Sequence, residues 1–170
     1  MKVAVTDACI FIDLLESEAC SAFFQLQFEI VTTRQVWMEL ESDQRDELEQ
    51  WVDSGYLSIV SGINNVIEVR DQNNLSKALS IADLSVWTLT ANEGGILLTS
   101  DGTLRKMAKK HQIETHGLLW IFDQLVVQSL LPVKEATEKL QLVFNQNTHY
   151  KSDQKLFKAY EVLLTKWQNI

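Results

Sequence analysis

The run Lys2-Val3-Ala4-Val5-Thr6-Asp7 decides the fold class. Its residues are apolar or β-branched after the lysine, so they read as a short buried strand with a carboxylate at its end. A second run of the same design is Ile96-Leu97-Leu98-Thr99-Ser100-Asp101. Further strand signals fall at Phe28–Val31, Leu57–Val60 and, weakly, Ile113–His116. Helical periodicity fills the intervals: Ser17–Gln27, Arg34–Leu40, Gln44–Ser54 with Gly55 as its stop, Ser80–Glu93 before Gly94-Gly95, Gly102–His111 and Gly117–Leu131. Strands alternating with helices predict a parallel sheet with crossover helices. After Pro132 two more helices are expected, Val133–Phe144 and Ser152–Trp167, with a polar loop over Asn145–Lys151.

A chain of 170 residues, 46% hydrophobic and 22% charged, has the balance of an ordinary globular protein with a real core. A single Pro and 6 Gly argue against an all-β sandwich and against a disordered linker. Net charge is −8, but it is uneven. Residues 134–170 hold six Lys and four acids; residues 1–133 hold nine Lys or Arg and nineteen acids. Such a protein is not an obvious nucleic-acid binder, so any phosphate chain it holds needs local cations, a metal or a basic partner. Cys9 and Cys20 show neither metal-ligand spacing nor a disulfide framework, which fits a cytoplasmic protein. Asp7 and Asp13 interrupt the N-terminal apolar stretch, so no signal peptide is expected. The most apolar segment, residues 117–131, is too short and polar for a membrane span.

Four acids stand at places from which an α/β fold can gather them: Asp7 and Asp101 after strands, Asp83 at the head of the Ser80–Glu93 helix, and Glu39 on the Arg34–Leu40 helix. Ligand crevices of open α/β sheets lie at the carboxyl ends of the strands. If the strands ending at Asp7 and Asp101 are neighbours, their carboxylates share that edge, and a helix feeding the second strand starts there with Asp83. Four gathered carboxylates repel each other and call for a compensating hard cation, Mg²⁺ or Mn²⁺, of the kind that cleaves phosphodiesters. Simpler roles stand beside this one. Asp83 suits a first helical turn capped by Ser80 or Ser76, and Asp101 suits an N-cap. Glu39 adjoins an acidic, solvated run through Asp53. Asp7 is harder to assign to structure alone, because a carboxylate ending a buried strand is costly unless paired or metal-bound.

These residues carry a resemblance. Val5-Thr6-Asp7-Ala8-Cys9-Ile10-Phe11-Ile12-Asp13-Leu14, Val36-Trp37-Met38-Glu39-Leu40, Leu79-Ser80-Ile81-Ala82-Asp83 and Ile96-Leu97-Leu98-Thr99-Ser100-Asp101-Gly102-Thr103-Leu104-Arg105 resemble the PIN domain. That is the fold of many metal-dependent ribonucleases, including VapC-type toxins of bacterial toxin–antitoxin pairs. The order Asp, Glu, Asp, Asp is the family's. The resemblance covers about residues 1–131 and implies a three-layer α/β/α fold with a parallel sheet ordered 3-2-1-4-5. Residues 1–131 are then a PIN-like nuclease domain, and 132–170 an extra C-terminal helical extension packed on it. The resemblance also implies that Asp7, Glu39, Asp83 and Asp101 are the catalytic metal-binding acids and that the Thr99 hydroxyl supports them. Cys9 stands where the family often has Ser, Thr or Asn.

The expectation is therefore a Mg²⁺- or Mn²⁺-dependent endoribonuclease, the toxin of a type II toxin–antitoxin pair, with RNA as substrate and an antitoxin whose arginine enters the acidic pocket. The alternative is a non-catalytic PIN-like binding or regulatory module. A phosphoacceptor receiver domain is set aside, because Leu57–Val60 ends in Ser61-Gly62 and no Lys follows Ile113–His116. Arg105, one turn beyond Asp101, is the candidate phosphate contact; Lys109, Lys110 and His111 complement a helix dipole. The apolar Gly117–Leu131 helix needs cover from the tail helices or another chain, and a homodimer is expected. The tryptophans sit on apolar helix faces and read as core.

Overall fold

Strand β1 (Lys2–Thr6) lies in the middle of the sheet, hydrogen-bonded in parallel to β2 (Phe28–Thr33) on one side and β4 (Ile96–Leu98) on the other. The computed structural model describes residues 1–170. β3 (Leu57–Val60) and β5 (Thr115–His116) close the edges, so five parallel strands run in the order β3-β2-β1-β4-β5. This is the order the resemblance implies, and β1 and β4 are neighbours. A sheet covered by helices reads as continuous apolar runs, and Ala4, Val5, Ile96, Leu97 and Leu98 are all buried.

The helices are α1 (Ala8–Glu16), α2 (Cys20–Phe23), α3 (Arg34–Glu39), α4 (Ser42–Asp53), α5 (Val66–Gln72), α6 (Ile81–Glu93), α7 (Gly102–Lys110), α8 (Leu118–Val127), α9 (Val133–Gln146), α10 (Thr148–Ser152) and α11 (Gln154–Trp167). No helix is long and apolar enough to cross a membrane. Several differ from the sequence reading. The helix expected over 17–27 is only α2, preceded by Glu18 in a left-handed conformation (φ 53°). The apolar stretch after Asp7 forms α1, and α5 lies outside the helices expected from periodicity. The expected loop over 145–151 contains most of α10. The 117–131 helix stops at Val127, before Ser129 turns left-handed (φ 58°).

Packing divides the chain into two compact units. The first, Met1–Ile12 with Gln27–Gly117, holds the whole sheet. Within it α6 packs on β1, β2 and β4, and α3 and α5 pack on α6. Residues from Ala82 to Thr90 are buried on almost every side of α6 except at Asp83. The Thr88 and Thr90 hydroxyls donate back to the Leu84 and Val86 carbonyls, which satisfies polar groups inside the core. α6 stops at Gly94 in a left-handed cap (φ 67°). At Gly95 a Cβ would sit 2.5 Å from the Val3 carbonyl oxygen, so the chain re-enters the sheet beside β1 only with glycine there.

The second unit, Asp13–Leu26 with Leu118–Ile170, is helical. Its apolar helix α8 packs against α2, α9 and α11. Phe23, Phe122 and Trp167 are almost fully buried, and each such side chain stabilises by roughly 1.5–3 kcal/mol. Asp13 is buried there and accepts a hydrogen bond from the Tyr150 hydroxyl, while Lys139 donates to the carbonyls of Ser17 (3.3 Å) and Glu18 (3.0 Å). The indole of Trp167 (3.0 Å) and the ammonium of Lys166 (2.6 Å) hold Asp123.

Candidate active site at the carboxyl edge of the sheet

The carboxyl edge between β1 and β4 is tied together by short polar bonds. The Asp7 amide donates to the Leu98 carbonyl at 3.0 Å, carrying the ladder one residue beyond β1. The Asp7 carboxylate is buried. One oxygen accepts the Ala8 amide at 2.8 Å; the other accepts the Thr99 hydroxyl at 2.7 Å and the Cys9 thiol at 3.3 Å. Thr99 in turn accepts the Asp101 amide at 3.1 Å, and the Cys9 sulfur accepts the Ser100 amide at 3.2 Å. The turn after β4 is thus fastened to Asp7 by two side chains. The resemblance implies this supporting role for Thr99. Cys9 was not given a supporting role there, because a thiol is a weak hydrogen-bonding group.

Asp101 caps α7, accepting the Leu104 amide at 2.7 Å. Asp83 and Ser80 form a reciprocal capping box at the head of α6: the Ser80 amide donates to Asp83 at 2.7 Å, and the Asp83 amide donates to the Ser80 hydroxyl at 3.0 Å. The same Ser80 hydroxyl lies 3.4 Å from a carboxylate oxygen of Glu39, the last residue of α3. The capping roles weighed for Asp83 and Asp101 are therefore real, and both acids still belong to an electrostatic cluster. The charge of Asp83 acts on Asp7, those of Asp7 and Asp83 on Glu39, and that of Asp101 on Asp83. Burial, with this mutual repulsion added, raises the carboxyl pKa of Asp7, Glu39 and Asp83 above the ordinary range. Burial, then the Asp7 charge, pushes the Cys9 thiol up as well, so it stays protonated at neutral pH.

None of the ion pairs in the protein involves any of the four acids. No group of three or more His, Cys, Asp or Glu is drawn tightly enough to hold a metal ion in this conformation. The donor chemistry nevertheless fits a hard divalent cation. One carboxylate oxygen each on Glu39, Asp83 and Asp101 makes no hydrogen bond, and all the available donors are oxygens.

Arg105, expected at a phosphate, donates to the Thr99 carbonyl at 3.1 Å. Its guanidinium runs beneath Gly117, where a Cβ would come within 2.8 Å of it. His111 and Trp87 pair edge to face, 5.2 Å between centroids, and both line a cavity of about 490 Å³ together with Lys2 and Glu114 at the starts of the strands. Neither joins the acids.

A family model described as a PIN domain matches residues 3–163 of the chain. No curated protein matches it. Among solved structures, the fold is similar to that of PAE2754 from Pyrobaculum aerophilum, with a TM-score of 0.51 over 74% of this chain and 90% of that one, at 13% identity.

Proposed function

The chain belongs to the PIN-domain family, whose members are generally nucleases, and from that premise we propose that it is a Mg²⁺- or Mn²⁺-dependent endoribonuclease acting as the toxin of a type II toxin–antitoxin pair. One observation carries the reading: a buried Asp7, coupled to Asp83 and Glu39, with no basic side chain paired to any of them. A fold that keeps such a cluster without a cation of its own is suited to accept one from solution.

Asp7, Glu39, Asp83 and Asp101 would hold the cation, which would supply water activation and charge neutralisation at the scissile phosphate. The chain's own groups prepare for it. Thr99 and Cys9 fix the Asp7 carboxylate in one orientation and hold the turn bearing Asp101 beside it. Ser80 orients Asp83 and stands next to Glu39. No side chain here is a suitable covalent nucleophile: Cys9 remains a protonated thiol engaged by Asp7. Two finer readings belong to the same proposal. An antitoxin arginine matches a cluster lacking cations, and co-purification with the product of a neighbouring reading frame tests it. A homodimer would use apolar side chains left exposed on the second unit, Val127, Leu142 and Val162, and sedimentation velocity tests it.

The deciding experiment is cleavage of total RNA in Mg²⁺ or Mn²⁺, with EDTA as blank. Asp7→Asn, Glu39→Gln, Asp83→Asn and Asp101→Asn are each expected to lose on the order of 10²-fold or more in rate. Glu41→Gln, outside the cluster at the start of α4, is expected to cleave like wild type. Cluster variants as active as wild type would refute the mechanism. A wild-type protein that cleaves no RNA with either metal, freed of any partner, points instead to a PIN-like binding module.

A further inference from the structure

In an acidic protein, α7 is an exception: its only charged side chains are Arg105, Lys106, Lys109 and Lys110, and none of them is in an ion pair. The helix dipole accounts for Lys109 and Lys110 in the last turn. It does not account for Arg105 or Lys106, which lie in its first five residues. Arg105 and Lys109 are four apart, Lys106 and Lys109 three apart, spacings at which like charges meet and repel. These three cations, with Ile113 and Thr115, line a groove of about 340 Å³. A groove that gathers repelling cations with no carboxylate to offset them suits an anionic chain rather than a neutral ligand.

Its position indicates which chain. The bond from Arg105 to the Thr99 carbonyl fixes one end of the groove at the turn that carries Thr99 and Asp101. That bond uses one of five guanidinium N–H groups and leaves the others for a ligand. From Asp101 to Lys109 the helix advances about 12 Å, so the cations form a line leading away from the acids. We propose that this groove is the track for the phosphodiester backbone of single-stranded RNA as it leaves the acid cluster, with Lys106 and Lys109 on successive phosphates and Arg105 at the end nearest the acids. The inference rests on the endoribonuclease reading for the identity of the strand and adds to it the path the strand takes.

Binding is to be measured in EDTA with a fluorescent single-stranded 2′-O-methyl RNA, which resists cleavage, across a salt series. Lys106→Gln with Lys109→Gln is expected to weaken binding by about tenfold at low salt. It should also make the slope of log affinity against log salt shallower by about 1.4, the value for two lost phosphate contacts to a single strand. Lys155→Gln with Lys158→Gln, an equal change of charge on α11, is expected to leave both nearly unchanged. The inference is overturned if the α7 pair binds as wild type, if the α11 pair loses as much, or if wild type does not bind. It is also overturned if inorganic phosphate, equimolar in phosphate groups, displaces the strand, since that marks a site for single anions. Cleavage of natural RNA in Mn²⁺ keeps the two claims apart. A wild type that cleaves while the α7 pair binds normally removes the track and leaves the nuclease. A wild type that binds through α7 but cleaves nothing leaves the track and removes the nuclease.

Discussion

Asp7 is held by opposed effects. Three donors stabilise its charged form, yet burial outweighs them and the carboxyl is pushed toward protonation. No basic group relieves that burial. In metal-free protein at neutral pH the charge is therefore a liability, and Asp7→Asn is expected to raise stability while abolishing cleavage. Thermal melts with and without Mn²⁺ check this. The ion should raise the Tm of wild type and leave that of Asp7→Asn where it is. A variant less stable than wild type without metal would mean that Asp7 is a structural acceptor only. The contribution of Cys9 belongs at this scale too: its sulfur accepts the Ser100 amide from the turn after β4 while its proton faces Asp7. Sequence separation hid that bond, because it joins positions 9 and 100 and only the β1–β4 pairing brings them together.

Among the elements, α6 matters most for the site, since its first turn carries Asp83 and its cap reaches Glu39. Ser80→Ala removes the cap and the hydroxyl next to Glu39 together. A loss of about 1 kcal/mol is expected from the cap alone. Cleavage should fall beyond what that loss explains, read as a lower kcat at a temperature where the variant is fully folded. Unchanged kcat in a destabilised variant would confine Ser80 to capping. The strands were readable because short β-branched or apolar runs between polar turns have few other solutions, and the places of Asp7 and Asp101 were readable because each follows such a run. α1 was not. Ala8-Cys9-Ile10-Phe11-Ile12 continues the apolar run of β1, and a buried helix that is apolar on most sides shows no period to separate it from strand. The helix expected over 17–27 failed for the opposite reason: Ala19, Ala22, Phe23 and Leu26 have helical spacing, yet all four are buried around a short turn of helix. α5 and α10, at 7 and 5 residues, are too short for periodicity to reveal.

At the scale of the whole molecule, pH dependence draws on a group outside the acid cluster as well as on the raised acids within it. Asp13 is buried, and burial, opposed by the Tyr150 hydrogen bond and aided by the Glu16 charge, raises its pKa to about 7. An acid whose folded pKa is raised adds stability that is complete below the unfolded value near 4 and is lost as pH rises through about 7. Unfolding free energy should therefore fall across that window by on the order of a few kcal/mol. Asp13→Asn should make the fall smaller, the raised acids of the cluster supplying the remainder, and urea titrations at pH 4.5, 6 and 7.5 measure it. A wild-type profile that rises with pH would show that Asp13 stays ionised. The order of the strands has a further consequence, for the chain as it is synthesised. β1 emerges before every other strand yet occupies the centre of the sheet, so after β2 joins it the side meant for β4 stays bare until residues 96–98 follow. An unpaired strand edge invites foreign pairing. Asp101 is also the last of the four acids to appear. A nascent chain halted short of Ile96 would thus expose a bare strand edge while still lacking Asp101, so aggregation is a hazard of its synthesis before the set of four acids is complete.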